Sequence, residues 1–223
     1  MAGAAFFDLD RTLIQRSSAL ALAPAFRARG LISRQDLVKS IFWQLLFAAR
    51  GAGAKRVREA AEDGMRILEG FSVDEMRRLV GDEMEAVLRP LVYADSLRLV
   101  QQHRERGERV YVVSATLQEI VEHIAADLGF DGAIGSTCEI VDGVYTGKTL
   151  RAAHGDGKAR ALRELAAAEG IDLVASTAYS DSHTDLPFLE AVGHPVAVNP
   201  DRKLRRIARE RGWPSIEFSA RAA

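Results

Sequence analysis

Four short apolar runs punctuate this chain, and patterns of helical period fill the spaces between them. Ala4-Ala5-Phe6-Phe7 is brief, wholly apolar and stops at Asp8, as a buried strand does. Glu108-Arg109-Val110-Tyr111-Val112-Val113-Ser114 repeats the pattern and ends in a hydroxyl. Residues 175–181 give a weaker third case ending at Asp181, and Pro195-Val196-Ala197-Val198-Asn199 a fourth. Between these runs, residues 95–106 place Leu97, Val100 and Arg104 on one side and stop at Gly107. Leu117, Ile120, Val121, Ile124 and Leu128 form an apolar stripe closed by Gly129. Leu162 and Leu165, then Leu204 and Ile207, continue the theme. Strands alternating with helices predict an α/β fold with a doubly wound, parallel, Rossmann-like sheet covered on both faces. Ligands of such sheets bind beyond the carboxyl ends of the strands, where Asp8, Ser114 and Asp181 lie.

Two stretches break the alternation. Residues 17–89 read as helical throughout, with capping-box signatures at Ser33/Asp36 and Ser72/Glu75. Leu37, Ile41 and Leu45 share one stripe, and Val73, Met76, Val80 and Val87 another. The expected organisation is therefore a core of residues 1–16 and 90–223 with a helical insertion, 17–89. Charge within the insertion is uneven: residues 17–58 carry eight Lys/Arg and one acid, and residues 59–89 four Arg and nine acids. The second break is residues 139–147, where Asp142-Gly143 marks a hairpin turn.

Composition excludes several classes. Thirty Lys+Arg against 31 Asp+Glu leave a formal charge of −1, which rules out a globally basic nucleic-acid binder. A single cysteine, Cys138, excludes an intrachain disulfide framework and fits a reducing compartment. The greasiest run, residues 41–49, is far short of the ~20 residues a membrane-spanning helix needs. Asp8 and Asp10 interrupt the first apolar stretch, so the start does not read as a signal peptide, and a cytoplasmic protein is expected.

The chemistry concentrates at four places. Asp8 and Asp10, two positions apart just past a strand, face one cleft if the chain stays extended. Carboxylates that close repel, so a cation sits between them or one is protonated, and a hard divalent ion such as Mg2+ suits oxygen ligands. A solvated acidic turn is the plainer alternative. Asp181 and Asp185 supply a second acid pair after another strand. Asp181 would complete a metal site with Asp8 and Asp10, and Asp185, with Thr12, would orient it from behind, or residues 184–185 simply cap a helix. Ser114 and Ala115, between a strand and a helix, offer a hydroxyl and backbone N–H groups as a phosphate seat. Lys158, after Gly155-Asp156-Gly157, would reach the same phosphate, unless it is an ordinary surface lysine.

In this order, Asp-x-Asp-x-Thr, a strand-terminal Ser, a downstream Lys and Asp-x-x-x-Asp resemble the four motifs of the haloacid dehalogenase superfamily, spanning residues 8–185. The helical insertion after the first motif resembles the cap of its phosphoserine-phosphatase-like members, subclass IB. The resemblance implies a magnesium-dependent phosphoric monoester hydrolase acting on a small phosphorylated metabolite. Asp8 would be the nucleophile that forms an aspartyl-phosphate, and Asp10 the general acid and base. The Asp8 carboxylate, the Asp10 carbonyl and Asp181 would hold Mg2+, and Ser114 and Lys158 the phosphoryl oxygens. Two departures stand out. Ser17 occupies the position of a substrate-binding Glu in phosphoserine phosphatases, and Ser180-Asp181-Ser182-His183-Thr184-Asp185 replaces Gly-Asp-Gly-x-Asn-Asp. Both bear on the substrate and leave the phosphatase chemistry intact.

Two rival readings remain. The basic half of the insertion (Arg27, Arg29, Arg34, Lys39, Arg50, Lys55, Arg56, Arg58) would suit a lipid-derived phosphate at a membrane surface, or a substrate anion, or be a solvated face. A catalytically silent phosphate-binding module is the other, although it has no need of both Asp8 and Asp10. Trp43 and Phe42 read as bundle core, and the basic segment 202–206 as a solvated helix face. Neither substrate identity nor oligomeric state is encoded in these patterns.

Overall fold

A computed structural model describes residues 2–31 and 65–219. Its strands are β1 (Ala4–Phe7), β2 (Arg109–Leu117), β3 (Gly132–Val141), β4 (Val144–Arg151), β5 (Thr177–Ser180), β6 (His194–Val198) and β7 (Ser215–Ile216). Among the described residues they form one seven-stranded sheet in the order β4-β3-β2-β1-β5-β6-β7, parallel except for the β3–β4 pair. The described helices are α1 (Ser18–Ala28), α2 (Val73–Glu83), α3 (Ala94–Glu105), α4 (Gln118–Asp127), α5 (Asp156–Glu169), α6 (Leu186–Leu189) and α7 (Arg202–Arg211).

Strand β1 is central, and its side chains alternate between two apolar layers. Ala5 and Phe7 pack with Leu22, Met76, Val100 and Ile124 on one face; Ala4 and Phe6 pack with Leu162, Phe188 and Leu204 on the other. Burial of each phenylalanine contributes roughly 2–3 kcal/mol. The chain order reverses direction across β1, because β2 lies on one side and β5 on the other. The crevice beyond the carboxyl ends of β1, β2 and β5 is thus the place where an α/β sheet accommodates a ligand.

The described ends of the insertion are tied to the core. Ser17 caps α1, its Oγ accepting from Leu20 N at 3.4 Å. Ser72 caps α2 in the same way, accepting from Glu75 N at 3.4 Å. Residues just before α2 pair with the β3–β4 hairpin: Gly70 N donates to Tyr145 O at 2.9 Å, and Tyr145 N to Phe71 O at 3.0 Å. Val73, Met76 and Val80 of the predicted stripe are buried, as is Leu79 outside it, while Val87 lies past the end of α2 and is only partly buried. The Ser33/Asp36 cap, the Leu37/Ile41/Leu45 stripe, Phe42, Trp43 and six of the eight basic side chains (Arg34, Lys39, Arg50, Lys55, Arg56 and Arg58) lie outside the described residues.

Three local expectations are corrected. First, β2 does not end at Val113. It continues to Leu117 through a register shift, so residues 114–116 are extended backbone and α4 starts only at Gln118. Ser136 Oγ donates to Ala115 O at 2.7 Å, and the Gln118 side-chain oxygen accepts from Gly135 N at 2.5 Å, which holds this stretch against β3. Second, the predicted 139–147 hairpin is the tip of a longer one whose first strand also joins the parallel sheet. Its turn is as expected, with Asp142 and Gly143 at φ 50° and 78°. Third, α3 buries Ser96, Val100 and His103, while Leu97 is 39% exposed and Arg104 points outward. Polar side chains face inward because partners await them: Ser96 Oγ donates to Tyr93 O at 2.7 Å, and His103 Nε2 bonds the Tyr179 hydroxyl at 2.7 Å.

Candidate active site

Asp8 is the first residue past β1, fixed by its N–H donating to Tyr179 O at 2.9 Å. Asp181 is the first residue past β5, the neighbouring strand. Lys158 sits in the first turn of α5, and its side chain reaches back to Asp8. It is 2% exposed, so the surface-lysine alternative is excluded. Its Nζ donates to Asp8 Oδ1 at 2.5 Å and to Asp185 Oδ2 at 2.7 Å. Phe188 packs beneath, with its ring centroid 4.7 Å from Nζ. Ser180 Oγ also donates to Asp185 Oδ2, at 2.8 Å. Asp185 is therefore the anchor that orients Lys158 toward Asp8.

Asp10 belongs to the same site but points differently. Its Oδ1 accepts from Ser18 N at 2.8 Å, at the start of α1. Ser18 Oγ in turn meets Thr116 Oγ1 at 3.1 Å, and Ser114 Oγ accepts from Thr116 N at 3.1 Å. The Ser114–Ala115–Thr116 stretch is thus linked to Asp10 through Ser18. Among the described residues, no hydrogen bond joins Ser114 to Lys158. Thr12 is fully buried, and its hydroxyl has no hydrogen-bond partner.

Electrostatically the site is over-supplied with acid. Burial pushes the Asp8 carboxyl above the ordinary carboxylate range; Lys158 pulls it back, and Asp185 and Asp10 push it up again. Asp181 is raised by burial first, then by the charges of Asp8 and Asp185. Asp10 is also raised by burial, against the Ser18 backbone hydrogen bond. For Lys158 burial acts downward, but Asp185 and Asp8 outweigh it and hold the ammonium protonated. Four buried or half-buried carboxylates thus face one ammonium.

Asp181 is the telling member. Its carboxylate is buried and makes no hydrogen bond or ion pair with a described side chain or backbone group; only its carbonyl is used, accepting from Asp201 N at 2.8 Å. A buried carboxylate without a partner is costly unless a cation joins it or it keeps a proton. Among the described residues, no three His, Cys, Asp or Glu side chains stand close enough to form an ion site alone. The Asp8 and Asp181 carboxylates with a backbone carbonyl could still hold one, since oxygen donors suit a hard divalent ion.

Several neighbours escaped the sequence reading. Ser18 and Ser180 hold Asp10 and Asp185. Asp201, the cap of α7, accepts from His183 N at 2.9 Å and meets His183 Nδ1 at 2.7 Å, fixing the 181–185 loop. A capping acid before α7 was the available signal. Arg11, between Asp10 and Thr12, carries a backbone φ of 63°.

A sequence model described as haloacid dehalogenase-like hydrolase matches residues 5–190 of this chain. A probable phosphatase of Mycobacterium tuberculosis is 44% identical over 216 residues, covering 97% of this chain and 75% of that protein. A phosphoserine phosphatase of the same organism is 38% identical over 220 residues, covering 98% and 71%. Among solved structures, a protein of unknown function from Bordetella pertussis superposes with a TM-score of 0.84 at 30% identity, over 97% of this chain and 98% of its own.

Proposed function

The chain belongs to the haloacid dehalogenase-like hydrolases and is a phosphatase of that family; on that premise we propose that it hydrolyses a small phosphomonoester through an aspartyl-phosphate on Asp8, with magnesium bound. The observation that carries this reading is the placement of Lys158 Nζ between Asp8 Oδ1 (2.5 Å) and Asp185 Oδ2 (2.7 Å) beside the unpartnered Asp181.

In this reading Asp8 attacks the phosphorus, and the bond from phosphorus to the ester oxygen breaks. Lys158 holds Asp8 through one oxygen, and no described residue hydrogen-bonds the other. Asp10, whose carboxyl is raised by burial, gives its proton to the departing oxygen. A water then attacks the aspartyl-phosphate phosphorus and passes its proton to Asp10, which restores Asp8 and releases phosphate. The Asp8 and Asp181 carboxylates and the Asp10 carbonyl would hold Mg2+, whose charge offsets the phosphoryl and carboxylate charge. Ser114 and the backbone at Ala115 would receive phosphoryl oxygens together with Lys158, and Thr12 would brace the loop from behind. Residues 17–89 would act as a cap that shields the site from bulk water and selects the alcohol.

The alcohol need not be serine. Ser17, at the position where the resemblance calls for Glu, spends its hydroxyl on capping α1. A cytoplasmic location fits a small-metabolite substrate, and no helix among the described residues is long and apolar enough to cross a membrane.

The decisive test is Asp8→Asn. We expect this variant to lose about 10³-fold or more of the aryl phosphatase rate with an unchanged circular dichroism spectrum. Full activity in the variant would end the reading, as would wild-type turnover that survives EDTA followed by dialysis.

A further inference from the structure

Arg11 is the charged residue of the first motif that the mechanism leaves unused. Among the described residues, three non-glycine residues have left-handed backbone: Arg11 at φ 63°, Asp142 at 50° and Asn199 at 43°. Asp and Asn tolerate that region because their short side chains bond locally; arginine has no such excuse, and glycine would occupy it freely. Strain kept at a site of chemistry, where a cheaper residue exists, points to a use for the side chain.

The position says what that use is. Arg11 follows Asp10 directly, and Asp10 is the group proposed to protonate the leaving oxygen. Arg11 is exposed, whereas Lys158 is buried and already spends its ammonium on two carboxylates. The Arg11 guanidinium forms no hydrogen bond or ion pair with any described residue. It is close enough for its charge to act on Asp10, Asp181 and the Tyr93 hydroxyl. An exposed guanidinium without a partner among the described residues, carried by the residue next to Asp10, is a planar donor fork suited to an oxyanion.

We propose that Arg11 is a leaving-group clamp: it binds an anionic group, carboxylate or phosphate, carried by the alcohol half of the phosphomonoester. The inference rests on the phosphatase reading and adds a substrate class to it, namely phosphomonoesters with a second negative charge a few bonds from the ester oxygen. It also accounts for the absence of glycine between Asp10 and Thr12.

The test uses the full chain with magnesium and two matched pairs of esters: 2-phosphoglycolate against ethyl phosphate, and 1,3-propanediol bisphosphate against propyl phosphate. The wild type is expected to favour the anionic member of at least one pair by about tenfold in kcat/KM. Which pair shows the preference distinguishes a carboxylate from a phosphate. Arg11→Gly is expected to remove that preference, chiefly through KM, while retaining its melting temperature because glycine accepts φ 63°. Arg11→Lys, which keeps the charge, is expected to retain part of it. A wild type indifferent to the second charge, or a preference that survives in Arg11→Gly, overturns the clamp. A wild type that hydrolyses an aryl phosphate but none of the four esters overturns the clamp alone, and one that hydrolyses neither overturns the phosphatase reading with it.

Discussion

Lys158 shows how one side chain couples stability to chemistry. It is 2% exposed and ion-paired at once to Asp8 and Asp185, each 7% exposed. Removing one partner of a buried charge cluster leaves the others uncompensated, which costs about 3–5 kcal/mol. Lys158→Ala should therefore lower stability by roughly that amount and abolish turnover together, as urea denaturation and an aryl phosphatase assay would read. Lys158→Ala combined with Asp185→Asn removes opposite charges from the same cluster, so stability should partly return while activity stays lost. Equal stability of Lys158→Ala and wild type would show that the cluster is not as dry as its burial implies.

Above single residues, what matters is how the start of α5 is threaded. Gly157 precedes Lys158, and a Cβ on it would fall 2.0 Å from the Ala152 carbonyl oxygen. The obstacle is backbone, which cannot rotate away. Gly157→Ala should cost about 2–4 kcal/mol and displace Lys158, visible as a lower melting temperature and a loss of kcat larger than any change in KM. This requirement was unreadable beforehand, because a glycine before a helix looks like an ordinary loop residue. The same limit explains what else the pattern of residues did and did not disclose. β1 was legible since Ala4–Phe7 is apolar at every position, and α4 since its stripe is unbroken. The early part of β3 was not, because Gly132, Gly135 and Ser136 carry no hydrophobic signal; Gly135 is there for clearance, a Cβ lying 2.6 Å from the Gln118 Cα. The inner face of α3 was misread because Ser96 and His103 are buried on the strength of hydrogen bonds, to which hydropathy is blind. Asp8 and Asp181 were legible because each ends a strand-like run, and Asp10 and Asp185 because each stands a few positions from one of them. Ser18 and Ser180 were not, since a serine acquires meaning only from the partner the fold brings to it.

For the whole molecule, the site is a local excess of negative charge that the fold tolerates without curing. Burial and mutual repulsion push Asp8 up to about 7 and Asp181 to about 8, from an ordinary value near 3.8. A carboxyl raised in this way holds its proton in the folded chain at pH values where the unfolded chain has released it. Its contribution to stability is thus intact below about pH 4 and is lost progressively as pH rises toward 7 and 8. A divalent ion bound by these groups requires them deprotonated, so it offers most where the metal-free protein suffers most. The gain in melting temperature on adding magnesium should therefore be small at pH 5 and grow steadily to pH 8. Comparing each pH with and without the ion cancels the groups that titrate elsewhere, among them His103, whose buried ring is lowered by desolvation. Asp181→Asn should flatten the trend, because it removes both an acid that repels and a proposed ligand of the ion. Should the gain instead be uniform across this range in wild type, the carboxylates after β1 and β5 would not be the seat of the ion, whatever the enzyme hydrolyses.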